Sequence, residues 1–315
     1  MQLDRSTLSF DAALSKFPSM RYVGSKRRLL PFLSEQLGKL EFESAFDGFC
    51  GLGSVSWLLK LMGKRVVAND VLAFPCLITA ALLGSPITNK EKLRLNSLSG
   101  IEGFEGKTSS LYGNVLFNFE DTTFIDAVME ALGGFPTELE RFGRAALILS
   151  CLRKRPRGLF TQATVESSKG GPDSSENMSV RAHFAKSVEA LIAAQISGPG
   201  SLVLNSPVSA LPMQSVDLIY LDPPYTSRFS DANYLRRYHF LEGLARNWTG
   251  VSISMGTKTR QVRVPMVRVD QVENATDTLQ VLFETYRNAH WVVSSSTNNF
   301  LDAYELSALM KRFGR

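Results

Sequence analysis

The chain has 315 residues, 44% of them hydrophobic, which is enough to bury a sizeable core without disulfide or metal staples. Cys50, Cys76 and Cys151, like His183, His239 and His290, are scattered without ligand spacing, so neither a metal site nor a disulfide framework is expected and the setting reads as a reducing cytoplasm. No apolar run approaches the roughly 18 residues of a membrane span, no leader-like segment opens the chain, and a net charge of +5 suits a polyanionic partner.

In chain order, Ser44-Ala45-Phe46 reads as a strand that runs into the loop Asp47-Gly48-Phe49-Cys50-Gly51-Leu52-Gly53-Ser54. Residues 55–62 then have helical apolar spacing and stop at Gly63. A second strand, 65–68, ends at Asn69-Asp70, and 71–83 is helical in pattern with Pro75 as a first turn or break. Such βα repetition predicts an α/β fold with a doubly wound, mostly parallel, Rossmann-like sheet. From 84 to 200 the rhythm lapses into a segment that reads as an inserted, mainly helical subdomain. It holds a helical pattern at 137–152, the basic run Arg153-Lys154-Arg155-Pro156-Arg157, and a polar stretch, 161–179, expected to be mobile. The basic run suits a phosphate backbone, and it equally suits a solvated helix C-terminus. Further strands are expected at 201–204, 216–221 and 290–295, and a helix at 302–313. The expected organisation is 1–83 and 201–315 as two parts of one catalytic domain, with 84–200 inserted between them.

The chemistry concentrates after the 216–221 strand, in Asp222-Pro223-Pro224-Tyr225. That tetrad sets a carboxylate acceptor, a turn with two backbone donors removed and an aromatic plate at a strand's carboxyl end, where open α/β folds bind ligands. Gly51 and Gly53 let backbone approach a nucleoside-containing ligand. Asp70 follows at close to the 20-residue offset at which dinucleotide folds place an acid on ribose hydroxyls. The loop lacks the third glycine of a nicotinamide-binding turn, so a ligand with ribose but no pyrophosphate fits better. S-adenosylmethionine is the expected cofactor. Cys151 lies on an apolar helix pattern and reads as core packing.

The run Arg21-Tyr22-Val23-Gly24-Ser25-Lys26-Arg27-Arg28-Leu29-Leu30-Pro31 resembles the N-terminal motif of Dam-like, α-group adenine-specific DNA methyltransferases. The 47–54 loop, Asn69-Asp70 and Asp222 to Tyr225 are similar to the next motifs in the family's order. The resemblance covers 21–83 and about 201–300, and the insertion sits where the family carries its DNA-recognition domain. It implies a site-specific enzyme acting on adenine N6 of a flipped-out base in double-stranded DNA, and the modification half of a restriction system. The cognate endonuclease would then share the DNA site without forming a stable complex, and the enzyme would be a monomer.

By the same resemblance, Tyr22, Gly24 and Lys26 enclose the methionine end of the cofactor, Asp47, Phe49, Gly51 and Gly53 lie along it, and Asp70 holds its ribose. Asp222 and the Pro223 carbonyl accept the N6 protons, Pro224 stiffens the turn and Tyr225 stacks on the base. Arg153, Lys154, Arg155, Arg157, Tyr234, Arg237 and Tyr238 are the expected nucleic-acid contacts, although Tyr238 also fits plain core spacing. His239 is expected to be structural. Two departures stand out. Where the family often has an acid near the cofactor's adenine, this chain has Asn205-Ser206. The chain also stops shortly after 302–313, where the family usually continues into a closing strand pair, so either the chain is truncated or that hairpin is missing, and an exposed sheet edge is expected. Transfer to cytosine N4 or RNA adenine, or a DNA-binding protein with a vestigial core, are the alternatives.

Overall fold

The computed structural model describes residues 10, 12–163, 177–224, 234–264, 272–295 and 301–314. Among them seven strands occur: β1 (Ser44–Asp47), β2 (Arg65–Asp70), β3 (Ser201–Asn205), β4 (Leu218–Leu221), β5 (Ser252–Ser254), β6 (Gln261–Arg263) and β7 (His290–Val293). The α-helices among the same residues are α1 (Leu30–Leu37), α2 (Ser54–Leu61), α3 (Ala73–Leu83), α4 (Asn89–Ser97), α5 (Lys107–Tyr112), α6 (Phe119–Leu132), α7 (Thr137–Lys154), α8 (Val180–Ala194), α9 (Tyr234–Ala245), α10 (Val272–Thr285) and α11 (Ala303–Phe313). The chain divides into two compact units. A sheet unit gathers Gly24–Thr79, Gly198–Asn233 and Met266–Arg315, and a helical unit gathers Met1–Val23, Ala80–Ser197 and Tyr234–Pro265.

In the sheet unit five strands lie in the order β3-β2-β1-β4-β7, every pairing parallel. The mixed α/β, Rossmann-like fold expected from the βα rhythm is therefore present. All residues of β1 and β4 are buried, as parallel strands covered on both faces must be. Phe46, Ile219 and Leu221 pack with Leu279, Leu282 and Phe283 of α10 and with Leu306 and Leu309 of α11. Each such side chain contributes about 1.5–3 kcal/mol of hydrophobic burial. Chain order runs outward from β1 through β2 to β3 and resumes at β4 on the other side of β1, so the topological switch falls between β1 and β4. Val216 and Asp217, expected in the strand, precede it, and Asp217 serves as its anchor. One Asp217 carboxylate oxygen accepts from the Glu43 and Ser44 N–H groups and from the Ser44 hydroxyl, fixing the start of β1. Among the described residues β3 and β7 are the sheet's edges, and Leu202 on β3 is half exposed.

The helical unit is built from α4 to α9 with the antiparallel pair β5–β6. Two of its helices start on buried carboxylates. Asp126 accepts from the N–H groups of Gly106, Thr108 and Ser109 and so caps α5, and Asp121 accepts from Val180 N at 2.6 Å where α8 begins. An aromatic cluster ties the segments together: Tyr112 stacks on Trp248 at 5.1 Å, and Phe160 stacks on Phe240 at 5.5 Å. The hairpin and helices α4, α5, α6 and α8 had no individual expectation behind them. Most of the stretch expected to be mobile, 164–176, lies outside the described residues.

Candidate active site

Three strands deliver three carboxylates to one edge of the sheet. Asp47 closes β1, Asp70 closes β2 and Asp222 follows Leu221 at the end of β4. The strands are parallel, and Asp47 is in register with both Ala68 and Tyr220, so all three acids lie at the carboxyl edge beside the switch point. Tyr220 O accepts from Gly48 N at 3.0 Å, locking the loop after β1 to the end of β4. Pro223 is buried and Pro224 half-buried, and Tyr225 lies outside the described residues.

Asp222 does not stand alone. The Lys26 ammonium donates to its Oδ2 in a close ion pair and also donates to the Gly24 carbonyl at 3.1 Å, joining the N-terminal motif to the Pro-Pro motif across 196 residues of sequence. Both side chains are largely buried, at 8% and 14% exposure. A pair so removed from water is costly to break, because the survivor keeps a buried charge without its counter-ion.

Asp47 is in a different state. Burial pushes its carboxyl up to about 7, against a hydrogen bond from Ser56, and the neighbouring Asp222 and Asp70 charges push it further. The Ser56 hydroxyl donates to Oδ2 at 2.6 Å, while Oδ1 is buried without a hydrogen-bond partner among the described residues. An orphaned carboxylate oxygen at a sheet edge is a ready acceptor for a cationic or N–H-bearing ligand group.

The glycine loop is shaped for close approach. Gly53 caps α2 at φ 76°, and a Cβ there would meet the Thr79 hydroxyl at 2.6 Å, so any other residue strains the backbone and collides. Asp70 is held from two sides: Gly51 N donates to Oδ2 at 3.0 Å and Leu72 N to Oδ1 at 2.9 Å. Asn205 is opposite Asp70 in the β2–β3 register, and its amide donates to the Asp70 and Val71 carbonyls at 3.0 Å each. Phe49 is partly buried against the sheet core.

Comparison with known proteins now bears on this edge. The family described as D12 class N6 adenine-specific DNA methyltransferase matches residues 22–104, a span holding Tyr22, Gly24, Lys26, Asp47, the glycine loop and Asp70. The chain is also 24% identical, over 319 aligned positions, to the Type II methyltransferase M2.HphI of Haemophilus parahaemolyticus, with 95% of this chain and 89% of that protein covered. Both similarities are to DNA methyltransferases, and together they support adenine-specific DNA methylation by this chain. It is therefore an enzyme that passes a methyl group from a donor to DNA adenine. No helix among the described residues of the methyltransferase is long and apolar enough to cross a membrane.

The other residues singled out from sequence lie in the helical unit. Tyr22 stacks on Tyr238 at 4.8 Å and has Tyr234 at 5.9 Å. Tyr238 is fully buried, and its hydroxyl accepts from Val23 N at 2.9 Å. That placement answers the ambiguity at this position in favour of packing. The basic run also divides. Arg155 is 3% exposed, and its guanidinium donates to the carbonyls of Leu159, Leu116 and Gln162, so it is a structural tie and departs from the expected contact with DNA. Arg153 is half-buried and donates to the Ser187 hydroxyl, and Lys154 faces Asp121 at 3.7 Å. Arg157 is exposed, at φ 54°, and with Arg21, Tyr22 and Val23 it lines an open cleft of about 510 Å³. Arg237 is half-buried, and its carbonyl accepts from Phe160 N. His239 is buried between Phe160 O, 3.0 Å from Nε2, and Val262 N, which donates to Nδ1. Burial lowers it to about 4, against the Phe160 hydrogen bond, so the ring is neutral. Sequence reasoning gave no sign of the Lys26–Asp222 pair, although both residues were named, because each was read inside its own motif.

Proposed function

We propose that the methyltransferase uses S-adenosylmethionine to methylate N6 of an adenine turned out of double-stranded DNA, with Asp222 as the group that engages the amine. The observation that carries this reading is the buried Asp222–Lys26 pair at the switch point, beside the glycine loop. Adenine N6 is a weak nucleophile because its lone pair is spread into the ring. Hydrogen bonds from its two protons to the Asp222 carboxylate and the Pro223 carbonyl favour a pyramidal nitrogen with a localised lone pair. Lys26 orients that carboxylate and balances its charge. Asp222 is then the first acceptor within reach for the proton that the methylated nitrogen sheds.

The residues present fit the cofactor. Gly51 and Gly53 give the loop its left-handed turns, Asp70 closes β2 beside it to meet the ribose hydroxyls, and the orphaned Asp47 oxygen suits the ammonium or sulfonium end. When bound, S-adenosylmethionine supplies an electrophilic methyl group on sulfur. Asn205 takes the place of an acid near the adenine ring, and Tyr225 stacks on the target base. Tyr22, Gly24, Phe49, Tyr234 and Arg237 complete the ligand contacts, and Arg157 meets the DNA backbone. Segment 84–200 serves as the target-recognition region between the catalytic parts 1–83 and 201–315. The name of the Type II relative supports a role as the modification enzyme of a restriction system. On this reading the enzyme works as a cytoplasmic monomer, and its cognate endonuclease meets only the shared DNA site.

The test is transfer of labelled methyl from S-adenosylmethionine into duplex DNA, with nucleoside analysis, for the wild type and Asp222→Ala. Label in N6-methyladenine is expected for the wild type. For the variant a fall of at least ~10³-fold is expected, on the scale of removing one transition-state hydrogen-bonding group, with cofactor affinity kept within about two-fold. Full transfer by Asp222→Ala would sink the mechanism, and label in N4-methylcytosine or in RNA alone would move the substrate.

A further inference from the structure

The β5–β6 hairpin is a basic ribbon fixed on one side and open on the other. Ser252 lies opposite Arg263, Ile253 opposite Val262 and Ser254 opposite Gln261. Its inner side is anchored within the helical unit. Val262 is buried with its N–H on His239 Nδ1 at 3.3 Å, and the Arg260 guanidinium donates to the carbonyls of Leu111 and, at 3.3 Å, Ser110. Those bonds hold Arg260 at φ 48°, a left-handed conformation that costs a non-glycine residue roughly 1 kcal/mol or more. Inside the turn, the Thr257 hydroxyl donates to Ser254 O at 2.8 Å and accepts from Gln261 N at 2.9 Å. The turn is thus set in one conformation before any ligand arrives.

The outer side has another character. Ser252, Lys258 and Arg263 are exposed, and Met255 stands 58% exposed at the turn beside Gly256. Among the described residues no carboxylate pairs with Lys258 or Arg263. Residues 243–269 of the sequence contain five basic and no acidic residues. A single exposed methionine on a surface needs no explanation. One held at the tip of a preorganised ribbon whose flanks carry uncompensated positive charge is what a DNA groove probe requires.

We propose that the β5–β6 hairpin is the element that enters the DNA, with Met255 as a wedge against a base step and Lys258 and Arg263 against the flanking phosphates. A major groove about 12 Å wide admits a two-stranded ribbon, and apolar wedges unstack base steps at a cost of a few kcal/mol. Partial unstacking of a base step lowers the work of extruding one of its bases. This assignment rests on the DNA methyltransferase reading for its ligand, and it places the contact outside the 84–200 segment.

The experiment uses the full chain, a mixed-sequence 40-base-pair duplex for affinity and plasmid DNA for methyl transfer. Lys258→Ser with Arg263→Ser is expected to weaken duplex binding at least ~10-fold and to reduce the salt slope by about 2, at close to 0.9 per phosphate. Met255→Ala is expected to keep the slope and lower transfer into plasmid about 10-fold, with Met255→Leu restoring most of it. Cofactor titration and unfolding midpoints, unchanged in all three, show that the fold is intact. Wild-type affinity, slope and transfer in both the double variant and Met255→Ala would overturn the ribbon while leaving the methyltransferase reading standing. A wild type that neither binds nor labels DNA would overturn both.

Discussion

In the sheet unit the buried charges face other charges. Asp222 pairs with Lys26, and Asp47 is pushed up by burial and by the carboxylates of Asp222 and Asp70. In the helical unit, although Glu242 pairs with Arg246 and Asp121 with Lys154, three buried polar groups face backbone instead: Arg155 is taken up by three carbonyls, Asp126 by three N–H groups, and His239 by one carbonyl and one N–H. The difference separates chemistry from scaffolding. Backbone partners are fixed by the fold and leave a side chain nothing further to do, whereas charge on charge leaves protonation and partner choice open to a ligand.

The sharpest way to break this contrast is at Lys26. Lys26→Met should lower methyl transfer by about 10³-fold and destabilise the protein by about 3 kcal/mol, since it leaves Asp222 a buried charge without its counter-ion. Lys26→Arg should recover most of both, and single-turnover rates with urea unfolding would show it. Arg155→Met should cost about 3 kcal/mol of stability with three carbonyls left unpaired. Its effect on the salt dependence of DNA binding should be nil, and a flattened salt slope would return Arg155 to the DNA interface.

The two units should also respond to pH with opposite signs. His239 is neutral in the fold down to about 4 but titrates near 6.5 unfolded, so the unfolded state binds the extra proton between those values. Stability from that site is fully present above 6.5 and is lost as pH falls towards 4. Asp47 holds its proton in the fold up to about 7 but titrates near 3.8 unfolded, so its contribution is lost as pH rises from 3.8 through 7. Denaturant unfolding across pH 4 to 8 should lose the alkaline slope in Asp47→Asn and keep the acid one. The smallest effect is expected at Arg157→Ala: within ~0.5 kcal/mol on stability, as for an exposed side chain, with duplex DNA binding weakened a few-fold in filter-binding or anisotropy measurements.

The sheet unit was readable because its signals are local. β1, the glycine loop and α2 follow from one apolar run, two glycines and one periodic stretch, and Asp70 and Asp222 were identified from the strands that end at them. The helical unit was readable only as helical. Nothing in Arg153 to Arg157 distinguishes the buried arginine from the exposed one, because burial depends on which carbonyls α7, the 113–117 turn and the 159–162 segment bring together. The hairpin escaped notice because three-residue strands carry too short an alternation to register.

The sequence by itself determined the α/β class, the parallel strands, the acids at their ends and the resemblance to adenine methyltransferases, since those depend on periodicity, turn chemistry and motif order within short windows. Tertiary structure alone decided that Lys26 meets Asp222 across 196 residues, that burial pushes the Asp47 carboxyl up to about 7, and that Arg155 and Tyr238 are packing. Those outcomes depend on desolvation and on pairings between distant segments, and neither is written in any local stretch of chain.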